Sequence, residues 1–297
     1  MQKSQIRLVI LPISKNNHDS SNCLFYTGCK YDCVLDIVWL DNVLFEISKN
    51  FSIQKIDIVG TGFNFLSEIY FDFLFNVLKL WHKKMHVYTD FKALNPALIN
   101  NYKSINVLFD FNTDLNVQRK VLAHIKAADN TDRVINLKVF DQDCNSLSPN
   151  HFINILNSMY IKSFEIIPFY PIEGTNQQFK GFTYFENTVK TYLKLADKMQ
   201  FAFQNKLQIE KVLTLDNYNI TPIYITPDLK LGVQKFKNNH LFIEKTNNIQ
   251  ELIKKVTEME NFRDNFCRKC TSSMRCLANY FIDLEESQSS CCGFKDL

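Results

Sequence analysis

The chain has 297 residues, 46% hydrophobic and 22% charged, with 34 basic and 31 acidic side chains for a net charge of +3. That size fits one large domain, or one domain with a small appendage, and the balanced charge gives no basis for nucleic acid or an anionic membrane as partner. Gly (7) and Pro (7) are scarce while Phe (26) is abundant, which argues for a packed core rather than linkers or low-complexity tails.

No targeting segment is expected. The apolar stretch 6–13 is too short for a secretory signal and lacks a small-residue cleavage site. The greasy stretch 69–81 is interrupted by Asp72 and Asn76 and is too short to span a bilayer. The expectation is a cytoplasmic protein with no membrane partner. Thiols stay reduced there, so clustered cysteines favour metal or redox roles over structural disulfides.

In chain order, residues 6–11 and 24–27 read as strands, and 34–48 as a helix with apolar residues at three- and four-residue spacing. Residues 56–59 form a strand ending at Gly60. A helix over 67–82, a strand over 86–89, a short helix over 95–102 and a strand over 105–111 follow. The spacing then predicts a helix over 117–128, a strand over 134–140, a helix over 150–159, a strand over 163–168 and a helix over 185–199. β–α units repeating every roughly 25–30 residues imply a parallel sheet with helical crossovers. About six units fit before residue 200, as a partial or complete α/β barrel or an open doubly wound sheet. In either form ligands gather beyond the carboxyl ends of the strands, where the loops after Thr27 and Val59 fall. The texture changes near residue 208. A hairpin over 223–226 and 231–233, a strand over 241–244 and a helix over 249–259 lead into a cysteine-rich tail.

The nine cysteines carry the chemistry. All but Cys144 fall in two groups: Cys23, Cys29 and Cys33 near the start, and Cys267, Cys270, Cys276, Cys291 and Cys292 near the end. Thiols so grouped in a cysteine-poor chain point to soft-metal sites, foremost iron–sulfur clusters. The first group lies in Thr27-Gly28-Cys29-Lys30-Tyr31-Asp32-Cys33-Val34-Leu35-Asp36, a Cys-x3-Cys-x2-Asp run between a strand and a helix. This run resembles the cluster loop of radical S-adenosylmethionine (radical SAM) enzymes. There Cys-x3-Cys-x2-Cys holds a 4Fe–4S cluster with one iron open to S-adenosylmethionine. Cys29 and Cys33 match the first two positions, and Asp36 stands at the third. Gly60-Thr61-Gly62-Phe63 stands where that family carries Gly-Gly-Glu-Pro, with Gly60 matching. Thr89 matches the Thr-Asn-Gly end of the next strand. By this resemblance Gly60, Thr61 and Thr89 would lie along S-adenosylmethionine. Either Asp36 or Cys23 would complete the first metal site. An extended 24–27 strand would set Cys23 about 20 Å from Cys29, whereas a loop there would bring it within range.

Cys267-x2-Cys270-x5-Cys276, followed by Cys291-Cys292, resembles the SPASM domain, which holds auxiliary 4Fe–4S clusters in radical SAM enzymes acting on peptides. The usual cysteine after the opening hairpin is absent. The expectation is therefore one cluster, from Cys267, Cys270, Cys276 and Cys291 or Cys292, with structural zinc as the alternative. The implied architecture is α/β. It has a partial (β/α)6 radical-SAM-like barrel over 1–207 and a small cysteine-rich SPASM/twitch-like domain over 208–297.

The implied function is maturation of a ribosomally made peptide. Three departures from the family pattern keep two alternatives open. One is a catalytically inactive subunit that binds a peptide or a partner maturase; the other is a zinc-stabilised α/β binding protein. His82 and His86, Asp110 at a strand end, and Cys144 in a loop read as core, cap or ordinary thiol residues. Gly60-x-Gly62 lacks the rest of a dinucleotide fingerprint.

Overall fold

The computed structural model describes residues 3–14, 31–81, 84–90, 104–108, 134–158, 163–169, 180–211, 220–237 and 240–262, together with positions 93, 94, 98, 102 and 123. The strands are β1 (Ser4–Ile10), β2 (Ile13–Ser14), β3 (Cys33–Val34), β4 (Phe51–Val59), β5 (Met85–Asp90), β6 (Ser104–Leu108), β7 (Val134–Phe140), β8 (Ser163–Ile167), β9 (Ala202–Phe203), β10 (Thr221–Thr226), β11 (Lys230–Lys237) and β12 (His240–Thr246). The helices are α1 (Ile37–Asn50), α2 (Glu68–Trp81), α3 (Asp141–Cys144), α4 (Pro149–Ser158), α5 (Phe182–Leu193), α6 (Gln204–Lys211) and α7 (Ile249–Phe262). No helix among them is long and apolar enough to cross a membrane.

Ten strands form one mixed sheet in the order β12-β11-β10-β1-β4-β5-β6-β7-β8-β9. Every neighbour from β10 to β9 runs parallel, and β10, β11 and β12 form an antiparallel meander at one edge. The strands β1, β4, β5, β6, β7 and β8 follow one another in space as in sequence, as successive β–α units require. The expected α/β class and parallel sheet are observed. Because β10 pairs with β1, the strands after residue 208 extend the main sheet, and position 207/208 falls inside α6.

Alternation decides which side is covered. Ile6, Leu8, Ile10, Ile56, Ile58, Val87, Ile105, Val107, Leu137, Val139, Phe164 and Ile166 share one sheet face and one core with the helices. α1 contributes Ile37, Leu40, Leu44 and Ile47 at three- and four-residue spacing, and α2 contributes Phe71, Leu74 and Leu78. β4 starts at Phe51 rather than Ile56, because pairing with Ser4–Ile6 of β1 keeps 51–53 extended. The expected helix over 185–199 ends at Leu193, and a 3₁₀ turn over Ala196–Lys198 follows. Cys144, expected in a loop, ends the short helix α3 and is fully buried, and burial pushes its thiol well above the usual value. The expected strand 24–27, helix 117–128 and most of helix 95–102 lie outside the described residues.

Candidate functional site

The chain leaves the sheet at Ile10 and returns to it through α1. Between these points β2 and β3 pair antiparallel, with Ile13 opposite Val34 and Ser14 opposite Cys33. Three further bonds fix the neck: Leu35 N to Pro12 O (2.8 Å), Leu11 N to Ile225 O (2.9 Å), and Tyr70 Oη to Leu35 O (2.9 Å). Cys33, half-buried, is thereby held beyond the carboxyl end of β1. Ser4–Ile10 is the strand that runs from the sheet into this neck. Asp36 is the N-cap of α1: its Oδ1 accepts from Val38 N at 2.8 Å and Trp39 N at 3.0 Å. That role follows from its place before an apolar-periodic run, since a capping carboxylate satisfies backbone donors a helix start leaves open.

At the end of β4, Gly60 N donates to Tyr88 O at 3.0 Å. A Cβ built on Gly60 would meet Phe63 Cε1 at 2.6 Å, so the glycine makes room for the buried Phe63 ring, which packs edge-on against Phe71. Thr61 is partly exposed beside it. Thr89, near the end of β5, is fully buried, and its Oγ1 has no partner among the described residues. After β7, Asp141 Oδ1 accepts from Gln142 N (2.8 Å) and Phe169 N (3.2 Å), tying the ends of β7 and β8 together. Burial raises its carboxyl to about 6, against the two backbone donors and Lys180.

The sheet face away from the helices carries a constellation that the motifs did not reveal. Arg7, Lys55, Asp57, His86, Tyr88, Asn106, Asn136, Lys138, Ser163 and Glu165 alternate with the core residues above and therefore share this face. Asp57, with no exposure, pairs with Arg7 and lies 3.3 Å from Lys55 Nζ. Lys138 pairs with Glu165. Arg7, Lys55 and Lys138 surround the Tyr88 ring at 5.8, 5.8 and 6.0 Å from its centroid. Tyr88 stands on β5, two strands from β1 and two from β7, so long cationic side chains from both sides reach its ring. Burial lowers Lys138 to about 7, helped by Lys55 and Arg7 and opposed by Asp57 and the contacting Glu165 carboxylate. Burial, then Lys55, lowers His86 to about 4, so its ring is neutral and shares a 3.0 Å hydrogen bond with Ser104 Oγ.

Farther along each strand this face turns apolar. Val9, Leu11 and Val59 cluster with Tyr88, Tyr224 and Ile243, and Leu108, Phe140 and Phe169 cluster with Ile167. A basic, polar floor is thus overlain by an apolar rim nearer the carboxyl ends.

Of the residues expected from sequence, Cys33 and Asp36 stand together at the neck after β1, Gly60 and Thr61 at the end of β4, and Thr89 near the end of β5. Cys23, Cys29, Cys267, Cys270, Cys276, Cys291 and Cys292 lie outside the described residues, as do His82 and Asp110. Among the described residues no three His, Cys, Asp or Glu side chains are grouped as metal ligands. The inner-face cluster was missed because its signal is spread over six strands: one or two polar residues alternating with apolar ones in each, as in Lys55-Ile56-Asp57-Ile58 and Asn136-Leu137-Lys138-Val139.

No protein-family model matches the sequence, and no curated protein does. Among solved structures the chain is similar to native anSMEcpe with bound AdoMet, at TM-score 0.57 and 12% identity over 93% of this chain and 91% of that one. It is similar to anSMEcpe with bound AdoMet and Cp18Cys peptide at TM-score 0.58 and 12% identity, over 93% and 90% of the two chains. It also resembles SuiB of Streptococcus suis bound to precursor peptide SuiA, at TM-score 0.51 and 12% identity over 77% of this chain. The match spans 59% of SuiB, about three-fifths of its length. These likenesses show a shared fold.

Proposed function

We propose that this chain acts in the maturation of a ribosomally made peptide, as a radical-SAM-like α/β protein binding S-adenosylmethionine and a peptide beyond the carboxyl ends of its parallel strands. The observation that carries this reading is the Ser14–Cys33 neck, which holds one cysteine of the Cys-x3-Cys run beyond β1. The fold shared with anSMEcpe bearing AdoMet and a peptide, and with SuiB bearing its precursor peptide, supports it. In this reading 1–207 is a partial barrel and 208–297 a SPASM/twitch-like region whose strands β10–β12 continue the barrel sheet. Gly60, Thr61 and Thr89 lie along S-adenosylmethionine.

A 4Fe–4S cluster would supply the electron for S-adenosylmethionine cleavage. The described donors do not fit one: Cys33 is the sole described thiol at the neck, and Asp36 Oδ1 serves the α1 backbone. The ligands proposed for the first site are Cys29, Cys33 and Cys23. One auxiliary cluster is proposed at Cys267, Cys270, Cys276 and Cys291 or Cys292.

The capping role of Asp36 favours a second reading, a subunit that binds a peptide or a partner maturase without cleaving S-adenosylmethionine. Anaerobic reconstitution with iron and sulfide separates the two. Iron and sulfide counts and EPR spectra are compared for wild type, Cys29→Ala/Cys33→Ala and Cys267→Ala/Cys270→Ala. Iron lost in each double variant, with 5′-deoxyadenosine formed on adding dithionite and S-adenosylmethionine, is the expected result for an enzyme. Iron lost in the tail variant alone, with no 5′-deoxyadenosine, assigns the subunit role. Wild-type iron content in both double variants refutes the cluster assignments.

A further inference from the structure

The outer surface of the helix layer is apolar where a monomer's is ordinarily polar. On α2, Ile69, Phe73, Asn76 and Leu80 recur at four-, three- and four-residue spacing, and all are exposed. Their stripe lies opposite the buried Phe71, Leu74 and Leu78, so it is the side of the helix turned away from the sheet. α1 runs alongside. Trp81 Nε1 donates to Asp41 Oδ1 at 3.0 Å, and Asp41 stands between Val38 and Phe45 on one α1 stripe. Val38, Phe45, Phe65, Ile69, Phe73 and Leu80 keep between 54% and 82% of their surface exposed. Apolar residues exposed singly need no explanation. Six on two neighbouring helices and the turn before one of them form a patch, and such patches mark interfaces.

The charges beside the stripe are ordered. Glu68 and Asp72 stand near the start of α2, Lys79 near its end and Lys84 just after it. Asp72 and Lys79 share a flank with Phe75, and the Lys79 ammonium sits 5.7 Å from the centroid of that ring. Two such helices laid side by side in the same direction would set acid against acid and base against base. Laid in opposite directions, Asp72 of one copy meets Lys79 of the other, and a two-fold axis makes the reverse pair as well. The face is therefore complementary to itself.

We propose that this face is the interface of a two-fold homodimer, in which the α2 helices of two copies cross antiparallel near Phe73 and Asn76, flanked by Val38 and Phe45 of each α1. Asn76 is the polar member of the stripe, and beside the axis the amides of its two copies can bond to each other. The apolar stripe supplies the attraction. The exposed Asp72–Lys79 pairs, worth little alone, set the direction. The interface lies on the helical side of the sheet, away from the face that carries Tyr88, and it does not depend on the peptide or cofactor reading above.

Sedimentation equilibrium of the full chain over about 1–100 µM should show monomer passing to dimer and to nothing larger. Phe73→Glu, at an exposed position, should weaken the dimer at least about tenfold while the circular dichroism spectrum and the unfolding midpoint stay those of wild type. Asp72→Lys and Lys79→Asp, each alone, should weaken it about fivefold, since each sets like charges together at both symmetric pairs. An equimolar mixture of these two variants should associate as wild type does, because opposite charges face each other at both positions of the mixed dimer. Monomer at every concentration overturns the inference and leaves the face to a different protein. A dimer insensitive to Phe73→Glu, one indifferent to both charge reversals, or one that the mixture fails to restore overturns it too. Association that continues beyond the dimer is aggregation through an apolar patch and does the same.

Discussion

Replacing Asp141 by asparagine should make the protein more stable at neutral pH. Asp141 is 3% exposed, and its Oδ1 accepts both the Gln142 and Phe169 N–H groups. An asparagine Oδ1 can accept the same two bonds, so the substitution removes the charge and keeps the geometry. The carboxyl is raised from its ordinary 3.8 to about 6. A raised folded-state value means that the folded protein binds more protons than the unfolded chain between those two pH values. The resulting stability is complete below pH 3.8 and is lost as pH rises through 6. At about 1.36 kcal/mol per unit, the ionised wild type gives up about 3 kcal/mol by pH 7.5. Urea titrations of wild type and Asp141→Asn at pH 4, 5.5 and 7.5 measure this. The two should coincide at pH 4 and separate by up to about 3 kcal/mol in favour of asparagine at pH 7.5. A gap that does not change with pH, or a wild type that is more stable at pH 7.5, refutes the reasoning. The confirmed result would have a functional edge, because a carboxylate kept at such cost where an amide would hold the same bonds marks a candidate working group.

Gly60→Ala should lose about 1–3 kcal/mol in thermal or urea unfolding, because its Cβ would sit 2.6 Å from Phe63 Cε1; Phe63→Leu in the same chain should restore part of that loss. His86, lowered from 6.5 to about 4, favours the folded state only while neutral. Stability should therefore fall by about 2–3 kcal/mol as pH drops from 6.5 through 4, and His86→Gln should flatten that limb of the stability profile. Asp36→Ala should cost about 1 kcal/mol through loss of the α1 cap, and Asp36→Ser should recover most of it. Iron content unchanged in both variants fits the cap, whereas iron lost in both would make Asp36 a ligand.

The parallel β–α alternation was legible because the described crossover helices carry apolar stripes, as in Ile37, Leu40, Leu44 and Ile47, and the strands a core face rich in Ile, Val and Leu. The meander at 221–246 was legible from its turn around Pro227-Asp228. Its attachment was not, because pairing of β10 with β1 joins segments some two hundred residues apart and leaves no local trace. The first strand was legible, expected over 6–11 and observed at Ser4–Ile10 in register with β4. Cys33, Gly60 and Thr89 were singled out because motif spacing is a one-dimensional signal. Lys55, Asp57, Asn136, Lys138, Ser163 and Glu165 share a face only once the strands pair, and single polar residues in apolar strands otherwise read as edge or surface positions.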